Sequence, residues 1–230
     1  LYSAKNQKPE QYFSENREDV ILLTNGGYFG TNVSYSMVRN DYTTIAPNIR
    51  AVTRYYNNEP HTYYPTRSAF GMPPTQQAET GYVYTVQEGI TYLYPEASQN
   101  STDAPPLPQP GPGYPAGGSV WDVSEAIGGG PMLITDSVIN RDYTAELFPD
   151  DITASVAPRT AIGITGDGRL INLVVDGRQP HSKGVRLEVL AESLLDLGCV
   201  KAINLDGGGS STLMVYDQVV NEPSDGSTRY

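Results

Sequence analysis

Cysteine is nearly absent from this chain of 230 residues: Cys199 stands alone, so no disulfide within the chain and no cysteine-built zinc or iron–sulfur site can form. Histidine is almost as scarce. With only His61 and His181, HExxH and multi-histidine metal sites are excluded, and a Ser-His-Asp triad would have to use one of the two. No run approaches the roughly 20 apolar residues that a membrane-spanning helix needs, the longest being Val20-Ile21-Leu22-Leu23. Positive charge is short as well. Fifteen Lys and Arg face 26 Asp and Glu, a net charge of −11, and such a field repels phosphate backbones and anionic lipid alike. Nucleic acid is therefore not an expected partner. What the chain does have is carboxylates, arginines, 23 Gly, and 17 Tyr against 4 Phe, aromatics that can sit half wet as sugar-contacting surfaces require. Hydrophobic residues make up 38%, enough for one domain spanning 1–230, or two small ones, to bury a core. The first residue is Leu1 rather than Met, which reads as a mature or trimmed chain.

The apolar run 20–24 ends at Asn25-Gly26-Gly27 and reads as a buried strand followed by a tight turn. Runs 51–56, 68–70 and 82–86 are rich in β-branched and aromatic residues between Pro, Gly and Asn clusters, as in an antiparallel sheet. The stretch 95–118 holds seven of the 18 Pro and four Gly in 24 residues, and reads as a loop, either a lid over a cleft or a passive insertion. Runs 161–164 and 170–175 flank Gly166-Asp167-Gly168, the turn chemistry of a β-hairpin. Leu187, Leu190, Ala191, Leu194 and Leu195 recur at helical spacing with Gly198 placed to end the element, so the main helix is expected at about 186–197. Residues 200–205 and 212–216 read as strands around Asp206-Gly207-Gly208-Gly209-Ser210. The sum is an α+β fold with a mixed, largely antiparallel sheet and few helices.

The chemistry concentrates in the second half. Residues 158–186 carry Arg159, Arg169, Arg178, Lys183 and Arg186 against Asp167 and Asp176, a basic segment on an acidic protein. It is either a solvated face or a grip for a phosphate or carboxylate. Three consecutive Gly after Asp206 let backbone approach a ligand closely and offer N–H groups to an anion; the plainer reading is an Asp-Gly turn with two surplus Gly. No Lys follows, so this is not a P-loop, and no strand–turn–helix context marks Ser210 as a hydrolase nucleophile. Asn25-Gly26-Gly27-Tyr28-Phe29 and Gly128-Gly129-Gly130-Pro131 are two further Gly-rich turns beside apolar runs, which suggests several strand ends meeting at one cleft.

In order along the chain, Asn25-Gly26-Gly27-Tyr28-Phe29, Gly129-Gly130-Pro131, Pro158-Arg159-Thr160, Asp176-Gly177-Arg178, Lys183-Gly184-Val185 and Asn204-Leu205-Asp206-Gly207-Gly208-Gly209-Ser210-Ser211-Thr212 resemble the phosphodiester glycosidase domain family. The resemblance implies an extracytoplasmic hydrolase, secreted, periplasmic or at the cell surface. It would cleave the sugar C1–O–phosphate bond of a carbohydrate phosphodiester, such as an N-acetylglucosamine-1-phosphodiester, releasing sugar and a phosphomonoester. A phosphomonoester is a far better leaving group than a sugar alkoxide, with a pKa of about 6, so Arg can replace much of a general acid.

On this basis Asp206, Arg159 and Asp176 are the candidate catalytic residues: Arg159 on the phosphate, Asp206 as nucleophile or base at the anomeric carbon, Asp176 as the second carboxylate. Asn25, Gly26, Gly27, Gly129, Gly130, Thr160, His181, Lys183, Gly184, Gly207, Gly208, Gly209 and Ser210 are the candidate substrate-binding positions. Plainer roles stand beside these: an Arg159–Asp176 ion pair across neighbouring strands, a turn role for Asp176, a surface loop for His181. No cofactor is expected; Asp206 with Asp176 is the one carboxylate pair that would suit a hard Ca²⁺ or Mg²⁺ ion, without EF-hand spacing. A non-catalytic module binding phosphorylated or acidic polysaccharide at the cell envelope is the competing function.

Overall fold

Strand Arg159–Thr165 runs through the middle of the molecule, buried at every position. The computed structural model describes residues 7–16, 20–74 and 77–229; Leu1 lies outside them. The central strand forms the expected hairpin with Leu170–Val175 on one side and pairs with Cys199–Asn204 on the other. Met132–Thr135 and Val138–Ile139 complete a five-stranded sheet. A second sheet orders Ser119–Val120, Thr91–Tyr94, Glu79–Thr85, Arg67–Met72, Glu125–Gly128, Val38–Asn40 and Thr43–Ala46. Neighbours in both sheets pair antiparallel throughout.

Because side chains alternate across a strand, the central strand serves two cores at once. Ala161 faces a cluster with Leu187, Leu190, Ala191, Leu194, Cys199 and Ala202. Ile162 and Ile164 face the opposite way, packing with Phe70, Met132, Ile203 and Leu205 between the two sheets. The helix Leu187–Asp196 covers the first face, with Leu187, Leu190, Ala191 and Leu194 fully buried. Each buried leucine contributes about 1.5–3 kcal/mol by area, an upper bound. Gly198 at φ +88 ends the helix, its N–H donating to Leu195 O.

Glu125–Gly128 belongs to one sheet and Met132–Thr135 to the other, so the Gly128–Pro131 turn carries the chain between them. Gly130 sits at φ +121, a conformation a side chain resists, with Phe148 and Glu146 crowding its α-carbon. The 95–118 stretch is a loop, as composition indicates, and it is tied down. Ser98 N donates to Thr66 Oγ1 (2.8 Å), and the buried Tyr63 and Tyr94 hydroxyls donate to Ala104 O and Gly111 O. A third, small sheet joins Leu22–Thr24 to Leu213–Val215 and Gln218–Val219, bringing the Asn25 turn beside the chain that follows Asp206.

Candidate functional site

Antiparallel pairing places the start of Arg159–Thr165 and the ends of Leu170–Val175 and Cys199–Asn204 at the same edge of the five-stranded sheet. The small sheet delivers Asn25 and Gly26 there, and the inter-sheet turn delivers Gly129 and Gly130. The Gly-rich turns do meet. Asp206 N donates to Gly26 O (3.1 Å) and Asn25 Nδ2 to Asp206 O (2.7 Å), while Asn25 Oδ1 accepts from Thr160 Oγ1 (2.8 Å) and Thr212 N (3.1 Å). Asn25 thus clamps three segments. Gly27 packs its α-carbon against Gly128 O and Ser36, and Gly129 against Asn204 O, leaving neither room for a side chain.

Asn204, fully buried, ties the inter-sheet turn to the Asn25 turn: its Nδ2 donates to Tyr28 Oη (2.8 Å) and Gly130 O (3.0 Å). Tyr28 in turn donates to Gly130 O (2.8 Å) and packs against Phe148 at a 45° tilt, ring centroids 5.3 Å apart. Burial, then the charge of Asp206, raises the Tyr28 hydroxyl pKa, while Arg159 and Arg67 pull it down. Beneath it, Arg67 lies 4.0 Å over the Phe148 ring, its pKa lowered by burial to about 10. Glu146 is buried with its carboxylate accepting from Ser68 N, Ser68 Oγ and Met132 N, all at 2.7 Å. Its pKa is raised by burial, against those bonds and the nearby Arg67 charge.

At the centre is Asp206. Gly207 N donates to Asp206 Oδ1 (2.8 Å) and the Ser210 side chain bonds the same carboxylate. Burial pushes its pKa above the ordinary carboxylate value, and those bonds together with the charge of Arg229 oppose the shift. The triglycine corner does not present a row of open amides, because Gly208 N donates to Pro158 O (2.9 Å) and Ser210 N to Gly207 O (3.1 Å). What the missing side chains permit is close approach. A Cβ on Gly208 would lie 3.1 Å from an Arg178 guanidinium nitrogen, and one on Gly209 2.6 Å from Asp225 Oδ1.

The guanidinium at the corner is therefore that of Arg178. Arg159 also reaches it, Cδ lying 3.8 Å from a Cβ built on Gly207, but its head turns to backbone carbonyls: Nε to Val185 (3.2 Å), Nη1 to Ile152 (2.9 Å), Nη2 to Ser155 (2.5 Å). Nor does Arg159 pair with Asp176. The Asp176 carboxylate accepts from Asn221 Nδ2 (2.8 Å) and Glu222 N (3.0 Å), so it fastens the segment that leads to Asp225 and Arg229. The Asp225 carboxylate is ion-paired with Arg229, whose Nε donates to Oδ2 at 2.6 Å.

The remaining candidates lie outside this group. His181 is exposed with Glu222 3.7 Å away, and Lys183 is exposed, its carbonyl accepting from Arg178 N. Gly184, at φ +93, packs on Ala157 with no room for a Cβ. His61 faces Tyr56 at 5.9 Å in an edge hairpin. Among the described residues no three His, Cys, Asp or Glu groups converge as a metal set, and Asp206 and Asp176 bond to separate partners. Arg178 belongs to the Asp176-Gly177-Arg178 motif, in which sequence alone gives it no role. Asp225 falls in a turn-like Pro-Ser-Asp-Gly-Ser stretch whose pattern signals only a turn, and Arg229 follows two residues after it.

Comparison with known proteins bears on the family and the fold. Residues 18–230 match the family model described as Phosphodiester glycosidase. The chain is 44% identical over 94 residues (38% of this chain, 18% of the relative) to the Bos taurus N-acetylglucosamine-1-phosphodiester alpha-N-acetylglucosaminidase. It is 43% identical over 72 residues (31% and 11%) to the SPbeta prophage-derived uncharacterized protein YomE of Bacillus subtilis. It therefore spans less than a fifth of the length of these curated relatives. Among solved structures, the zebrafish N-acetylglucosamine-1-phosphodiester alpha-N-acetylglucosaminidase catalytic domain superposes with TM-score 0.62 at 20% identity, over 96% of this chain and 61% of that one. A hypothetical protein from Synechocystis superposes with TM-score 0.60 at 21% identity, over 98% and 53%. At these identities the structural likeness concerns the fold.

Proposed function

Since the chain belongs to the phosphodiester glycosidase family, we propose that it hydrolyses the bond between a sugar anomeric carbon and the oxygen of a phosphodiester, releasing the sugar and a phosphomonoester. The observation that carries the reading is the corner itself: a half-buried Asp206 carboxylate at the head of the triglycine turn, and the Arg178 guanidinium from a separate segment lying against Gly208 of that turn. A carboxylate beside an anomeric carbon and a cation on the departing phosphate are what this bond cleavage requires. The leaving phosphate has a pKa of about 6, so charge stabilisation replaces the strong general acid that ordinary glycosidases need.

Asp206 acts at the anomeric carbon and must be ionised to do so. Arg178 takes the phosphate, because Arg159 has its Nε and both Nη atoms on carbonyls and braces the corner from behind. The Asn25 turn and the Gly129–Gly130 turn line the sugar side, held in place by Thr160, Tyr28 and Asn204. N-acetylglucosamine is the sugar we assign, from the named activity of the bovine relative, and an extracytoplasmic location goes with that assignment. The test is incubation with N-acetylglucosamine-α-1-phosphodiesters and mass-spectrometric detection of free sugar. Wild-type protein releases it, and Asp206→Asn lowers the rate by about 10²–10⁴ with unchanged circular dichroism. No release from any sugar-1-phosphodiester refutes the proposal.

A further inference from the structure

The corner carries a second cation. Asp225 lies against Gly209 as Arg178 lies against Gly208, and Asp225 holds Arg229 through Nε and Nη2. That pair uses one edge of the guanidinium, two of its five N–H donors, and the Arg229 side chain is half exposed. The segment that bears it is fastened at both ends. Asn221 Nδ2 and Glu222 N donate to Asp176, Leu213 N donates to Asn221 Oδ1 (2.8 Å), Gln179 Nε2 donates to Glu222 O (2.5 Å), and Thr228 Oγ1 donates to Glu10. Asp176, too far committed to act as a second carboxylate, thus becomes a positioning residue for Arg229.

We propose that Arg229, oriented by Asp225, is the second guanidinium of the phosphate site and engages the phosphate as it gains its second negative charge. This rests on the function proposed above and adds a division of labour to it. A phosphodiester carries one negative charge, which Arg178 matches. In the reaction the C1–O bond breaks with its electron pair on the phosphate oxygen. Water supplies hydroxyl to the carbon, and its other proton ends on the phosphomonoester, which at neutral pH gives it up and stands as a dianion. A cation whose partner charge appears only as that bond breaks lowers the barrier without tightening the ground state. The charge of Arg229 also reaches Asp206 and favours its ionised form; Tyr28 lies within reach of the same carboxylate, while Arg159, Arg178 and Asp225 lie against the three glycines that follow it.

The experiment has two arms. In steady-state kinetics on an N-acetylglucosamine-α-1-phosphodiester, Arg229→Ala lowers kcat about 10²-fold with KM changed less than about threefold. Asp225→Asn gives a smaller loss in kcat, Arg229→Lys restores part of it, and Arg178→Ala raises KM. In calorimetry at pH 8, wild-type protein binds methyl phosphate, a dianion there. Arg229→Ala weakens that binding at least about tenfold while leaving the monoanionic dimethyl phosphate within about threefold. Turnover by wild type with unchanged kcat in Arg229→Ala overturns the inference and leaves the function standing. Absence of turnover by wild type on any sugar-1-phosphodiester removes the function, and the binding arm then decides: no methyl phosphate bound, or equal loss for both phosphates, overturns the inference as well.

Discussion

Adding one methyl group at Gly209 separates a structural corner from a functional one. In Gly209→Ala the new Cβ meets Asp225 Oδ2 first, the oxygen that holds Arg229, and lies 2.6 Å from Oδ1 and Cγ, against an ordinary contact near 3.4 Å. The carboxylate must retreat by about 1 Å. It can do so, because the Asp225 side chain is 37% exposed and the atom met is the far end of a side chain rather than backbone. The energy at risk is that of an exposed ion pair, under about 1 kcal/mol, and for a domain of this size the melting temperature falls by no more than about 4 °C. The catalytic effect is larger. Displacement approaching 1 Å of a charge that stabilises the reacting phosphate lowers kcat by tenfold or more, toward about 10²-fold. Thermal melting with steady-state hydrolysis of a sugar-1-phosphodiester reads both numbers. Full activity at an unchanged melting temperature would remove Asp225 and Arg229 from the site; a fall of more than about 10 °C would show the corner to be a packing element first.

Arg159→Ala strips the N–H partners from the Ile152, Ser155 and Val185 carbonyls, and at about 1 kcal/mol each plus lost packing it lowers the melting temperature by about 10 °C; a variant that melts like wild type would return Arg159 to the phosphate. The pH profile of kcat/KM has its acid limb at Asp206. Because burial raises this carboxyl and activity needs it ionised, activity falls as pH drops through a midpoint above the ordinary value of 3.8, and Arg229→Ala moves that midpoint further up; a midpoint at or below 3.8 contradicts the assignment. Glu146→Gln puts an amide NH₂ where the carboxylate accepts from Ser68 N or Met132 N, and chemical denaturation will show a loss of about 1–3 kcal/mol. Equal stability would mean the amide finds other partners there.

Much of the framework was legible because it follows from local periodicity. Two apolar runs around an Asp-Gly turn marked the hairpin of Arg159–Thr165 with Leu170–Val175, spacing marked Leu187–Asp196 and its Gly198 stop, and the Gly-rich turns announced where strands end. The convergence of those turns was also within reach, since each follows or precedes an apolar strand.

Which side chains face the corner is another matter. Arg159 and Arg178 are the same residue type near the same sheet edge, and only their surroundings tell them apart. One finds the carbonyls of Ile152, Ser155 and Val185 within reach; the other, at φ +57, is turned over Gly208. Asp176 is claimed by Asn221 and Glu222, which the small sheet returns to its side from 45 residues downstream. Composition and periodicity therefore marked the hairpin, the helix Leu187–Asp196 and the Gly-rich turns, because those depend on neighbours in the chain. The placement of Arg178 against Gly208, and of the Asp225–Arg229 pair against Gly209, was decided by tertiary structure alone, because guanidinium and carboxylate groups take whatever partners the fold brings near, and no spacing along the chain records them.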